Sequence, residues 1–167
     1  ADRKELDLLK QTSVDEFIKS EKPDIIINAA ARVGGIHANS SYPAEFIHQN
    51  LVLNANLIHS AWVHGTNRFL NLGSSCIYPC HSQQPIKEEY LLSGKLEYTN
   101  EPYAIAKIAG IKMCESYNKQ YNRKYISLMP TNTFGPGDNY NLENSHFIPA
   151  ILRKLYIAKI NNEKFIK

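Results

Sequence analysis

The run Asp24-Ile25-Ile26-Ile27-Asn28-Ala29-Ala30 sits between Pro23 and Gly34-Gly35. A short β-branched stretch between such breakers reads as a strand buried on both faces, as parallel sheets require. Upstream, Ser13-Val14-Asp15-Glu16 has capping-box spacing and opens a predicted helix with Val14, Phe17 and Ile18 on one side. Downstream, Pro43 opens a helix that runs to Gly65, where glycine suits the exit turn. Residues 68–73 read as a second strand, and Pro102 opens a helix to about Tyr121. Residues 125–129 form a third strand, and a last helix begins near Phe147. This alternation predicts an α/β fold built on a doubly wound parallel sheet. Such sheets bind ligands at the carboxyl ends of their strands, here residues 28–37, 72–80 and 130–146.

Composition narrows the function classes. The 167 residues are 43% hydrophobic and 21% charged, with a formal charge of +3. No apolar run reaches the roughly 20 residues of a membrane span, and the first residues are not a secretory signal, so a cytoplasmic protein is expected. Arg153, Lys154, Lys159, Lys164 and Lys167 face only Glu163 near the C-terminus. That is a short basic tail and not the basic face nucleic acid needs. Three cysteines, Cys76, Cys80 and Cys114, make structural disulfides unexpected, and no C-x-x-C pair supports a zinc site.

Chemistry is carried by Tyr103-Ala104-Ile105-Ala106-Lys107. Residues four apart share a helical face, so a phenol and an ammonium stand about 5–6 Å apart at their Cβ atoms. A nearby positive charge favours phenolate and is expected to lower the phenol from its ordinary pKa of about 10. Tyr103 would then protonate a carbonyl oxygen as hydride reaches its carbon, while Lys107 also holds a ribose hydroxyl. Ser74 or Ser75, at the end of the second strand, would position the carbonyl.

Longer motifs make the reading specific. Leu72-Gly73-Ser74-Ser75-Cys76-Ile77-Tyr78-Pro79, Thr99-Asn100-Glu101-Pro102-Tyr103-Ala104-Ile105-Ala106-Lys107, Pro130-Thr131-Asn132 and Asn144-Ser145-His146-Phe147-Ile148-Pro149 resemble the GDP-L-fucose synthase family. These are extended short-chain dehydrogenase/reductases with a Rossmann-like sheet. The resemblance implies NADPH-dependent 3,5-epimerisation and 4-reduction of GDP-4-keto-6-deoxymannose. Ser74, Tyr103 and Lys107 would be the reductase triad, and Cys76 and His146 the base and acid that epimerise C3 and C5. It further implies NADP contacts at Arg3, Ala29, Ala30, Leu72, Gly73, Ser74, Ser75, Tyr103, Lys107, Pro130, Thr131, Asn132, Thr133 and His146. Substrate contacts would fall at Ser75, Cys76, Asn132, His146 and Lys154. Residues 1–147 would be a partial NADP-binding domain and 148–167 the start of a substrate lobe. The helices at 43–64 and 102–121 would pair subunits in a homodimer, and no metal, nucleic acid or membrane is implied.

The sequence also departs from that family. No G-x-x-G-x-x-G phosphate loop occurs in it. An internal fragment lacking the first βαβ unit and most of the substrate lobe is therefore expected, one that binds NADPH weakly and is prone to aggregate. Two alternatives remain: a 4-epimerase or 4,6-dehydratase of the same fold, or an inactive segment that only self-associates. Dehydratases of this fold usually carry an acidic pair after the Ser/Thr, where this chain has Ser75-Cys76-Ile77.

Overall fold

The computed structural model describes residues 5–142 and 145–166. Helix α1 (Gln11–Glu21) leads into strand β1 (Ile25–Asn28), the short helix α2 (Ile36–Ser41) and the long helix α3 (Pro43–Val63). Strand β2 (Arg68–Leu72), helix α4 (Glu101–Tyr121), strand β3 (Lys124–Leu128) and helix α5 (Phe147–Ile160) follow. The strands form one parallel sheet in the order β1-β2-β3, with Ile27, Leu70 and Ile126 aligned across it. The α/β reading with a parallel sheet therefore holds.

The boundaries follow local chemistry. Pro43 begins α3 as expected, and the helix ends in a Schellman turn. Gly65 adopts φ +83°, its N–H bonds the Trp62 carbonyl at 3.1 Å, and the Thr66 N–H bonds Ala61 at 2.8 Å. The predicted capping box does not form. Asp7 instead makes a tight turn, its Oδ1 accepting from Leu9 N–H and its carbonyl from Lys10 N–H, both at 3.1 Å. That turn feeds the chain into α1 at Gln11, two residues before Ser13. Helix α2 lies where a loop was expected. The Asn39 amide holds it by donating to the carbonyls of Gly34 (2.8 Å) and Gly35 (3.1 Å).

One face of the sheet carries the core. Val14 and Ile18 of α1, Leu57, Ile58 and Ala61 of α3 and Cys114 of α4 pack on Phe69 and Tyr125. The other face is bare among the described residues, and this corrects the expectation that β1 is buried on both sides. Ile25, Ile27, Ile126 and Leu128 alternate with the covered residues and remain 48–66% exposed. The sequence pattern was sound, because an all-apolar strand does specify two covered faces. Within this chain α1, α3 and α4 supply only one.

An apolar row of this kind drives association. Residues 1–167 alone are expected to bind a hydrophobic dye and to sediment as oligomers. The double variant Ile27→Lys, Ile126→Lys is expected to remain monomeric. A wild-type chain that is monomeric without dye binding in analytical ultracentrifugation would contradict this.

Candidate active site

The carboxyl ends of the strands open on a cleft of about 360 Å³. Its walls come from three connections. Ala29, Ala31, Val33 and Gly34 follow β1, Leu72, Gly73 and Ser74 end β2, and Pro130, Thr131, Asn132 and Thr133 follow β3. Tyr103 and Lys107 of α4 reach in from the side, and Asp138, Asn139, Ser145 and His146 close the rim. Gly73 is required by close approach, since a Cβ there would lie 3.2 Å from the Leu128 carbonyl oxygen and 3.3 Å from Met129.

Tyr103 and Lys107 stand together, as the helical spacing demands. Lys107 is 3% exposed, and its Nζ donates to the Leu72 carbonyl at 2.7 Å, tying α4 to the end of β2. The same Nζ lies 5.7 Å from the centre of the Tyr103 ring. Phe46 of α3 meets that ring edge-on, with centroids 6.4 Å apart and planes at 77°. The phenol is thus wedged between a cation and an aromatic edge. Ser74 is extended, and its Oγ accepts the Cys76 N–H at 3.5 Å at the head of a 3₁₀ turn, Ser75–Ile77.

The electrostatics correct one expectation. Burial pushes the Tyr103 phenol up to about 12. Nearby Cys76 adds to the rise, and a hydrogen bond with Ser74 offsets part of it. The lowering expected from Lys107 is not found, because desolvation of the buried phenol outweighs the influence of its neighbours. Desolvation also lowers Lys107, with Cys76 opposing. Desolvation raises the Cys76 thiol as well, against weaker lowering by Ser74, its own backbone N–H and Lys107. At neutral pH the pocket therefore holds a protonated phenol and a protonated thiol.

The structure brings most of the sequence-derived residues together. Ala29, Leu72, Gly73, Ser74, Tyr103, Lys107, Pro130, Thr131, Asn132, Thr133 and His146 share the cleft. His146 occupies the N-cap position of α5 without a side-chain cap bond, so capping does not account for its ring. Cys76 is half-buried behind Ser74, coupled to Tyr103 and Lys107 without lining the cleft. Ser75 is exposed beside it and Lys154 lies on α5, both away from the cleft wall. Arg3 falls outside the described residues.

A second cavity of about 380 Å³ was read in the sequence only at Ala29 and Ala30. It is lined by Leu6, Asp7, Leu8, Leu9, Ala30, Arg32, Gln49 and Leu53, and it shares Ala29 and Ala31 with the first. Arg32 was the available signal, a cation directly after the alanines of a strand end. Its guanidinium stacks 5.2 Å above Phe46 and is tethered to Glu45 at 3.5 Å. Asp138 and Asn139 were also missed, although they fall in a Gly/Pro loop at a strand's carboxyl end.

These residues fit a dinucleotide. Two cavities adjoin at Ala29 and Ala31, whose short side chains leave room for an elongated ligand to lie across both. Lys107 spends one of its three donors on Leu72 and keeps the others for an occupant of the cleft. Among the described residues no group of three or more metal-ligating side chains occurs, and no helix is long and apolar enough to cross a membrane.

Comparison with known proteins agrees with the geometry. A family model described as "NAD dependent epimerase/dehydratase family" matches residues 2–166. The GDP-L-fucose synthase of Sinorhizobium fredii is 55% identical over 162 residues, which cover 97% of this chain and 52% of that protein. The GDP-L-fucose synthase of Escherichia coli is 56% identical over 160 residues, covering 96% of this chain and 50% of that protein. Among solved structures, a GDP-mannoheptose C4 reductase from Campylobacter jejuni with NADP bound superposes with a TM-score of 0.88. It is 40% identical, and the match covers 96% of this chain and 47% of that one. The chain spans about half the length of the curated relatives it matches.

Proposed function

We propose that this chain, which belongs to the NAD dependent epimerase/dehydratase family, carries the reaction centre of an NADP-dependent enzyme. That enzyme epimerises C3 and C5 of GDP-4-keto-6-deoxymannose and reduces C4, giving GDP-L-fucose. One observation carries the reading: Tyr103, Lys107 and Ser74 converge on a cleft at the strand ends, with Cys76 behind them and His146 on the rim. The identity to two GDP-L-fucose synthases supports the substrate class. On the same reading, α5 opens the substrate lobe, with Lys154 facing substrate, and α3 and α4 pair two subunits.

NADPH, when bound, supplies the hydride for C4. The rest falls to the chain's own groups. Ser74 and Tyr103 hold the C4 carbonyl, and the Tyr103 phenol delivers its proton to that oxygen. Lys107 holds a ribose hydroxyl and, through Leu72, ties α4 to the end of β2. Protons at C3 and C5 are acidified by the neighbouring ketone, so a thiolate at Cys76 removes them and His146 returns them on the opposite face. A thiol there favours proton exchange over dehydration, which sets the dehydratase alternative aside.

The direct test is incubation of the full-length protein that carries this sequence with GDP-4-keto-6-deoxymannose and NADPH. Consumption of NADPH with GDP-L-fucose as product is expected, and no consumption would refute the assignment. A pH dependence follows from the raised Cys76 thiol. Only its thiolate abstracts protons, and below the pKa the thiolate fraction grows about tenfold per pH unit. Solvent-deuterium exchange into C3 and C5 is therefore expected to climb steadily from pH 7 to pH 9. A flat or falling profile would remove the thiol from the base role.

A further inference from the structure

Beneath the cleft lies a cluster of side-chain amides that the reaction chemistry does not use. Asn28 closes β1, Asn71 stands opposite it in β2, and Asn54 faces both from α3. Their exposures are 2%, 0% and 1%. Nδ2 of Asn28 donates to Oδ1 of Asn54 at 3.0 Å and to Oδ1 of Asn71 at 3.3 Å. Nδ2 of Asn54 donates to the Ala106 carbonyl of α4 at 3.4 Å, and Oδ1 of Asn28 accepts from Ala30 N–H at 3.2 Å. Helix α4 approaches through Gly110, where a Cβ would stand 3.0 Å from the Asn54 amide nitrogen and 3.1 Å from that of Asn71.

Each of these bonds ends one residue from the cleft. Asn28 precedes Ala29, Asn71 precedes Leu72, and Ala106 precedes Lys107. Apolar packing would also hold α4 on the sheet, but it is non-directional and tolerates sliding and rotation. Hydrogen bonds weaken steeply when misaligned, so an amide network fixes one register. Among the described residues Nδ2 of Asn71 has no hydrogen-bond partner, a cost that an apolar residue at this place would avoid.

We propose that the buried amide triad Asn28–Asn54–Asn71 is the positioning device for this site. It sets the depth and rotation of α4 against the ends of β1 and β2, and so places Tyr103 and Lys107 in the cleft. The inference rests on the reduction proposed above, so its test has one readout that needs no turnover.

The variants are Asn71→Leu, which removes the acceptor for Asn28, and Asn71→Asp, which keeps it. In the full-length protein that carries this sequence, Asn71→Leu is expected to lower kcat at least about tenfold with KM values held within about twofold. Asn71→Asp is expected to recover most of that loss. Independently, the pH profile of Cys76 alkylation by iodoacetamide, read on its own peptide by mass spectrometry, reports the surroundings of the thiol: its burial first, then Ser74, its backbone N–H and Lys107. In Asn71→Leu that profile is expected to shift along the pH axis as α4 moves, while Asn71→Asp, which adds a carboxylate nearby, is read by kcat alone.

A folded Asn71→Leu protein with a lower Tm but unchanged kcat and an unchanged Cys76 profile would overturn the proposal. Should that variant not fold, Asn54→Ser, which cannot reach Ala106, is measured in the same two ways: a fall in kcat with a shifted Cys76 profile supports the triad, and no change in either overturns it. A wild-type protein inert toward the keto sugar, with the Cys76 profile still shifting in Asn71→Leu, would refute the function and leave the positioning role standing.

Discussion

Replacing Tyr103 by Phe is expected to slow reduction at C4 by about 10²–10⁴ while leaving exchange at C3 and C5 within a few-fold of normal. The ring packs on Phe46 and lies near Lys107, and both contacts survive the loss of one oxygen, so the fold is not disturbed. What disappears is the proton donor. Positioned general acids contribute about 10²–10⁴ in rate, and the fall in NADPH oxidation is expected in that range. The phenol at about 12 makes the loss easy to isolate. It is protonated throughout the working pH range, so Tyr103→Phe is expected to lower the pH profile without changing its shape. Retained reduction in this variant would mean that another group supplies the proton, with Ser74 the first candidate on position.

Replacing Cys76 by Ser is expected to do the reverse. A serine hydroxyl keeps the hydrogen bond with Ser74 but ionises far less readily than a thiol. Deuterium uptake at C3 and C5 is expected to fall at least about 10²-fold. Reduction of an already epimerised keto sugar, supplied directly, is expected to proceed at close to the wild-type rate, because Tyr103 and Lys107 are untouched. Normal uptake in Cys76→Ser would place the base elsewhere, with His146 and Asp138 on the cleft rim as the next candidates.

Much of this architecture was legible because it is local. Pro43 and Gly65 bracket α3, three β-branched residues make β1, and a four-residue spacing puts Tyr103 above Lys107 whatever the tertiary context. Helix α2 was not legible, since six residues without apolar periodicity are held by a single asparagine folding back on two carbonyls. The bare sheet face was hidden for another reason. A strand pattern states how many faces want covering but not which segment covers them.

The site divides in the same way. Residue types and order pointed to Ser74, Tyr103, Lys107 and His146, and the fold brings all four to one cleft. The acidity of the phenol was misjudged because spacing reports distance alone, while burial, with smaller effects of Cys76 and Ser74, sets the balance. The amide triad joins positions 28, 54 and 71, which no local pattern connects, and only the parallel register of β1 and β2 brings the first and last together.

At the centre of this chemistry stands hydride delivery to a sugar ketone in the cleft while Tyr103 protonates its oxygen. It is probed by reacting the full-length protein with the keto sugar and NADPH deuterated at the transferring position of the nicotinamide. One deuterium at C4 of GDP-L-fucose is expected, formed by Tyr103→Phe at least about 10²-fold more slowly than by the wild type. Product without label at C4, or labelled product formed at equal rates by the two proteins, would contradict it.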